Sequence, residues 1–275
     1  MKHILLMDGP DHKGLIYQVT HVLYDHNQNI IRQDEYVSPS GQFYMRTEFE
    51  GESDPKKIMD DLHKILPPNI NLRLNPKKKK EVVLFVTKEH HCLGELLIRY
   101  AFDELDANIQ AVISNYNTLQ PLVSKFGIPF HYVSHEHRTR QDHEGAILRT
   151  LEVYQPEYLV LAKYMRILSS DFVKHYPNRI INIHHSFLPA FIGASPYRQA
   201  YERGVKIIGA TAHFVNNNLD EGPIIAQDVK EVDHRQTAAD MAILGKDTEK
   251  SVLSEALKLV FNDRVFIHGN RTILL

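Results

Sequence analysis

At 275 residues the chain suits one large or two modest domains, either with an adequate core. Its 43% hydrophobic and 24% charged residues are ordinary for a soluble globular protein, and a net charge of −2 gives no electrostatic case for nucleic acid. One cysteine, Cys92, excludes an intramolecular disulfide, no apolar run nears the ~20 residues of a membrane span, and MKHILLMDGP has too short an apolar core for a secretion signal. A cytoplasmic protein that binds neither nucleic acid nor membrane is expected.

Residues 3–7 alternate weakly and lead into a turn-rich stretch, Asp8 to Gly14. Leu15, Ile16, Val19, Val22 and Leu23 then recur at helical spacing, and Asn27-Gln28-Asn29 ends that helix. Strands follow at 30–38 and 42–50, a helix at 55–65 and a strand at 70–74. The order βαββαβ is a ferredoxin-like split arrangement. With the D-x-x-G loop Asp11–Gly14 it resembles an ACT domain, for which a side-by-side dimer and an amino-acid effector at that loop are implied. A plain dimerisation wedge is the alternative. A homo-oligomer is expected on either reading.

Asn75-Pro76 and the run Lys77-Lys78-Lys79-Lys80 mark a boundary, read as a solvated linker. The expected division is 1–76, a linker at 77–81 and a second domain at 82–275. Within it, strands at 81–87, 108–114 and 129–133 alternate with helical spacing at 93–104 and 119–125. That alternation predicts a mostly parallel, Rossmann-like sheet with right-handed crossovers. The intervening loop 87–94, Thr-Lys-Glu-His-His-Cys-Leu-Gly, carries bulky side chains and a single late glycine. Its adjacent His90 and His91 are a poor ligand pair, with no HExxH motif or cysteine pair nearby, so no metal is expected.

The apolar run at 158–162 is a central strand that opens into Lys163-Tyr164-Met165-Arg166-Ile167-Leu168-Ser169. A stretch just past a strand's carboxyl end is where open α/β sheets bind ligands. Ile167 and Leu168 also fit the cap of a following helix. The β-branched run at 180–185 ends at Pro189, and strand alternation turns Asn182 and His184 to one face. An amide and an imidazole side by side can both donate to an oxygen on which negative charge is building. Beyond it lie an approach loop at 191–196, a helix at 197–203 and a strand at 207–215 in which Gly209 marks a close backbone approach. The turn Asn218-Leu219-Asp220-Glu221-Gly222 then brings a carboxylate toward His184. His213 fits a structural histidine as well as a catalytic one. A strand at 224–232, a helix within 237–261 and a closing hairpin around His268-Gly269-Asn270 complete the chain.

Asn182-Ile183-His184 followed by Ser186 and Leu188-Pro189, with His213-Phe214-Val215, Leu219-Asp220 and Gly222-Pro223-Ile224, resembles the folate-dependent formyltransferases. The resemblance covers roughly residues 82–275. It implies an α/β formyltransferase domain behind the ACT-like one, with Asn182, His184 and Asp220 acting on the formyl group of 10-formyltetrahydrofolate. It also implies a folate slot formed by Met165, Arg166, Ile167, Leu168 and Val215. The loop 87–94 departs from the Gly-Ser-Asn-rich phosphate cradle of glycinamide ribonucleotide formyltransferases and is similar to that of formyltetrahydrofolate deformylases. Hydrolysis is therefore expected, with water as nucleophile and the folate as substrate, so that no cofactor is needed. Transfer of the formyl group to an amine such as glycinamide ribonucleotide is the alternative. A folate-binding or amino-acid-sensing regulator would be favoured only if one of the three polar residues were missing.

Overall fold

The computed structural model describes residues 1–189 and 196–275; of the approach loop expected at 191–196, all but Pro196 lies outside them. The described residues form two compact units, Met1–Lys78 with Asn262–Phe266 and Ile273–Leu275, and Lys79–Phe261 with Ile267–Thr272.

The first unit runs β1 (Lys2–Pro10), α1 (Leu15–Asp25), β2 (Asn29–Val37), β3 (Gln42–Glu50), α2 (Pro55–Ile65) and β4 (Asn71–Pro76). Its antiparallel sheet has the order β2-β3-β1-β4, which is the split βαβ pattern expected from sequence. Alternation along β1 sends Leu5 and Met7 into a core with Leu15, Val19, Phe49 and Ile58. Ile4 and Leu6 point the other way and are covered by Tyr44, Phe266 and Leu275. Asp54 caps α2 by accepting from the Lys56 amide at 2.9 Å, ahead of Pro55 at the first helical position.

The second unit comprises β5 (Lys80–Val86), α3 (His91–Ala101), β6 (Ala107–Ser114), α4 (Gln120–Ser124), β7 (Phe130–Tyr132), α5 (Arg140–Tyr154), β8 (Tyr158–Leu161) and α6 (Ser170–His175). It continues through β9 (Ile180–His184), α7 (Pro196–Arg203), β10 (Ile207–Phe214), β11 (Ile224–Glu231) and α8 (Ala238–Phe261); the residues of the paired strands β12 (Val265–His268) and β13 (Arg271–Leu274) are divided between the two units. The seven-stranded sheet has the order β11-β10-β9-β8-β5-β6-β7. Pairs from β9 to β7 are parallel, while β10 and β11 run antiparallel. The winding reverses beside β5, so the carboxyl ends of β5 and β8 open a ligand crevice.

Three details differ from the sequence reading. Helix α5 was not anticipated: its buried stripe includes His143 and Glu144 beside Ile147 and Leu151, which blurs the apolar period. The lysine run is not a free linker. Lys77 pairs with Glu48 at 2.6 Å, Lys79 with Asp103, and Lys80 is buried at the start of β5. Helix α3 begins inside the stretch read as a loop, because His91 and Cys92 are drawn into the interior toward Glu249 of α8.

Two glycines answer to space rather than torsion. A Cβ on Gly209 would lie 2.5 Å from the Asp228 carbonyl oxygen, the close approach expected there. A Cβ on Gly222 would lie 1.7 Å from the Phe214 oxygen, where the Asp220 turn folds back on the end of β10. Gly222→Ala must push that turn outward, at a cost of about 1–3 kcal/mol. A melting temperature several degrees lower and turnover reduced at least tenfold are expected from thermal denaturation and steady-state assay. A variant matching wild type in both would show that the turn has slack.

Candidate active site

Asn182 and His184 lie on β9, and antiparallel pairing sets His213 of β10 directly opposite Asn182, with Thr211 opposite His184. That register makes His213 a neighbour of the Asn-x-His pair, 31 residues away in sequence. His213 is 2% exposed, and burial lowers its pKa, so the imidazole is neutral near pH 7. Its Nδ1–H donates to the Phe214 carbonyl at 2.8 Å, which leaves Nε2 to accept from the Asn182 side-chain amide at 3.2 Å. The amide nitrogen of Asn182 is thereby fixed, with one N–H still free to donate. His213 is a positioning histidine, and sequence left it open because its role depends on strand register.

Asp220 sits in the left-handed region, φ 56°, in the turn after β10. Its Oδ1 lies 3.3 Å from His184 Nδ1 and 3.8 Å from His213 Nε2. Burial alone would push the carboxyl up, but the hydrogen bond and charge of His184 hold it below the ordinary 3.8. With Nδ1–H donated to Asp220, Nε2 is the nitrogen of His184 left for another partner. This Nε2 is buried and has no hydrogen-bond partner among the described residues.

All three side chains line a cavity of about 450 Å³. Its walls also include Met165, Arg166, Ile167, Leu168 and Val215, the residues expected to form the folate slot. Sequence missed Lys163, His185 and Asn216 to Asn218 on the same walls. The slot is tied down from α5: Glu144, itself buried, accepts from the Ser169 amide at 2.8 Å and from the Ser169 hydroxyl. The chain beyond His184 is fixed as well. Thr211 Oγ1 donates to the Ser186 carbonyl at 2.9 Å and accepts from the Leu188 amide at 3.0 Å. Gln227 adds bonds to Thr211 Oγ1 at 2.9 Å and to the Leu188 carbonyl at 3.1 Å.

Behind His185 lies a buried polar cluster. Glu249, 1% exposed, accepts from Tyr197 Oη at 2.7 Å and from His91 Nε2 at 2.8 Å, and lies 3.2 Å from Lys163 Nζ. Donor atoms of His91, Cys92 and Glu249 fall within 4.8 Å of one another. That trio is ill-suited to a cation. Its carboxylate already holds a lysine and a histidine, and burial pushes the Cys92 thiol far up, away from the thiolate a metal requires.

An open α/β sheet that carries Asn182 and His184 at the end of β9, with Asp220 against them, fits a formyl transferase in the broad sense, and the Formyl transferase family model matches residues 80–257. The chain is 55% identical to a formyltetrahydrofolate deformylase of Escherichia coli (strain K12), over 97% of this chain and 95% of that protein. The crystal structure of a formyltetrahydrofolate deformylase from Pseudomonas syringae pv. tomato superposes with a TM-score of 0.95 at 37% identity, covering 100% of this chain and 95% of that one. A glycinamide ribonucleotide transformylase from Symbiobacterium toebii fits less well, with a TM-score of 0.69 at 29% identity over 74% of this chain and 98% of that one. The chain belongs to the formyltetrahydrofolate deformylase family.

Because the Asp220 pKa is depressed in the folded chain, the stability it contributes is complete above the unfolded value of about 3.9 and is lost as pH falls through the lower folded value. The unfolding free-energy difference between wild type and Asp220→Asn should therefore hold down to about pH 5 and shrink as pH falls from there through the folded value. A difference that stays constant over that range in denaturant titrations would contradict the His184–Asp220 assignment.

Proposed function

We propose that the protein hydrolyses 10-formyltetrahydrofolate to formate and tetrahydrofolate, supplying formate to one-carbon and purine metabolism. The observation that carries this reading is the convergence of Asn182, His184 and Asp220 in one cavity, with His184 Nδ1 3.3 Å from the Asp220 carboxylate, in a chain whose near-full-length relatives are deformylases.

In the proposed mechanism the pterin lies against Met165, Arg166, Ile167, Leu168 and Val215, and the formyl group reaches the Asn182–His184 edge. Water attacks the formyl carbon and charge moves onto the oxygen. Asn182, held by His213, and protonated His184 donate to that oxygen, one such donor being worth roughly 3 kcal/mol of barrier. Asp220 takes the proton from water as general base and stabilises the His184 cation, and a placed base contributes about a hundred- to ten-thousand-fold. Collapse of the tetrahedral centre breaks the C–N bond, and the leaving nitrogen takes the proton that Asp220 accepted from water, which restores the carboxylate. The folate is substrate and no cofactor takes part. Formyl transfer to an amine uses the same three residues, but its support is limited to the shorter transformylase neighbours.

With 10-formyltetrahydrofolate and no amine present, the protein should release formate and tetrahydrofolate in equal amounts, and His184→Ala and Asp220→Ala should abolish the release. Asp220→Asn should lose turnover by at least a hundredfold while folate binding changes little. An equal loss of both would remove Asp220 from the chemical step.

For the first unit we propose an ACT-type role: an amino-acid effector bound near Asp11 and Gly14, in a cytoplasmic homo-oligomer. Gly14 takes φ +95° at the start of α1, and exposed Asp11 is fixed by its amide bonding to the Gly41 carbonyl at 2.8 Å. The edge strand β2 exposes the apolar side chains of Ile31, Tyr36 and Val37 along a free edge suited to a second copy. An amino acid at a hundred times its Kd adds about 2.7 kcal/mol, which thermal denaturation reads as a shift of a few degrees. The absence of any shift or activity change across the twenty amino acids would leave this unit as an assembly element alone.

A further inference from the structure

Hydrolysis and amine formylation share a donor and a tetrahedral centre, so the choice between them lies in what can approach the formyl carbon. The three catalytic residues cannot make that choice. A side-chain wall beside them can.

His184 and His185 are neighbours whose ring centroids lie 5.2 Å apart, and His185 lies 6.3 Å from the ring of Tyr197. Tyr197 donates to Glu249, which also holds His91 and Lys163. Lys163 and His185 line the reaction cavity, while Glu249 and Cys92 behind them are fully buried. The cluster is held from every side. Lys163, itself at φ +66°, accepts at its carbonyl from Thr87 Oγ1 at 2.7 Å. His91 Nδ1 faces Glu89 at 3.6 Å, and Glu89 faces Lys246 at the same distance. Gly245 has no side chain because Tyr197 lies against its backbone, where a Cβ would sit 2.1 Å from the tyrosine oxygen.

A buried lysine–glutamate–histidine–tyrosine group is poor value for stability compared with apolar packing, so its retention beside a reaction cavity calls for another role. Burial pushes the Glu249 carboxyl up, but the His91 and Tyr197 hydrogen bonds and the Lys163 charge bring it down to about 2, so Glu249 stays ionised at neutral pH. An amine bearing a carbon substituent would have to displace buried groups already bonded to Glu249. A water molecule needs only two or three hydrogen-bonding partners.

We propose that the Lys163–Glu249–His91–Tyr197 network is an acceptor-side wall that restricts the nucleophile to water, making these residues the specificity determinants that separate hydrolysis from formyl transfer. The proposal rests on the hydrolase reading, and the two fail differently: the first is read from formate released without amine, the second from how the formyl group partitions when an amine is present.

The test supplies purified full-length protein with 10-formyltetrahydrofolate and glycinamide, and measures formylglycinamide formed per formate released. Wild type should give almost none. His91→Ala and Tyr197→Ala open the wall from its two sides, and each should raise the ratio at least tenfold while melting and folate binding show an intact fold. A second arm needs no variant: wild type is offered hydroxylamine and glycinamide, each rate normalised to its uncatalysed reaction with the same donor. The smaller acceptor should divert at least tenfold more formyl group. Folded variants that partition like wild type would overturn the proposal, as would a wild type that formylates both amines equally well.

Discussion

The contact on which the site depends is that between the Asp220 carboxylate and His184 Nδ1. Nothing in local sequence holds these two groups together, and each belongs to a different structural device. His184 is carried to the end of a parallel strand, where the sheet's winding leaves a crevice. Asp220 comes from a turn that folds back on the antiparallel neighbour, with Gly222 against the Phe214 carbonyl. The switch from parallel to antiparallel pairing at β10 returns the chain past β9 in the opposite direction, so the end of β10 lies beside the start of β9 and the turn that follows folds back to bring Asp220 to His184.

The same switch explains why the histidine opposite Asn182 is buried and neutral. A charged His213 would donate from both nitrogens and could not accept from the Asn182 amide. Desolvation therefore acts here as an orientation device, since by keeping one imidazole uncharged it determines which way a neighbouring amide points. Asp220 shows the reverse case, where an adjacent imidazole outweighs the effect of burial. Two titratable groups a few ångströms apart are thus driven in the directions their tasks require.

Much of this was legible from residues alone. Period-two alternation placed Asn182 and His184 on one face, and the turn residues around Asp220 set the carboxylate at a reversal. Element order defined the first unit and the parallel character of the second. What could not be read depended on pairing. The register that opposes His213 to Asn182, and the approach of His91 to Glu249 across 158 residues, have no local signature. Helix α5 did carry a signal, since Thr139 caps it by accepting from the Asp142 amide at 3.1 Å. Its buried face, however, mixes His143 and Glu144 with apolar residues because Glu144 serves the Ser169 cap rather than the core. Glu249 likewise lies on the buried face of α8, where a charged residue at a core spacing is the only hint of a partner elsewhere.

The covering of β1 by Phe266 and Leu275 has a consequence for biosynthesis. Domains usually fold as they leave the ribosome, amino-terminal first. Here one face of the first sheet stays bare until a distant part of the polypeptide has been made, because Phe266 and Leu275, which cover it, are translated long after Ile4, Leu6 and Tyr44. During that interval Ile4, Leu6 and Tyr44 present an apolar surface to the surroundings. The nascent chain is thus open to aggregation or chaperone capture at its first-made sheet, and the arrival of Phe266 and Leu275 closes that window.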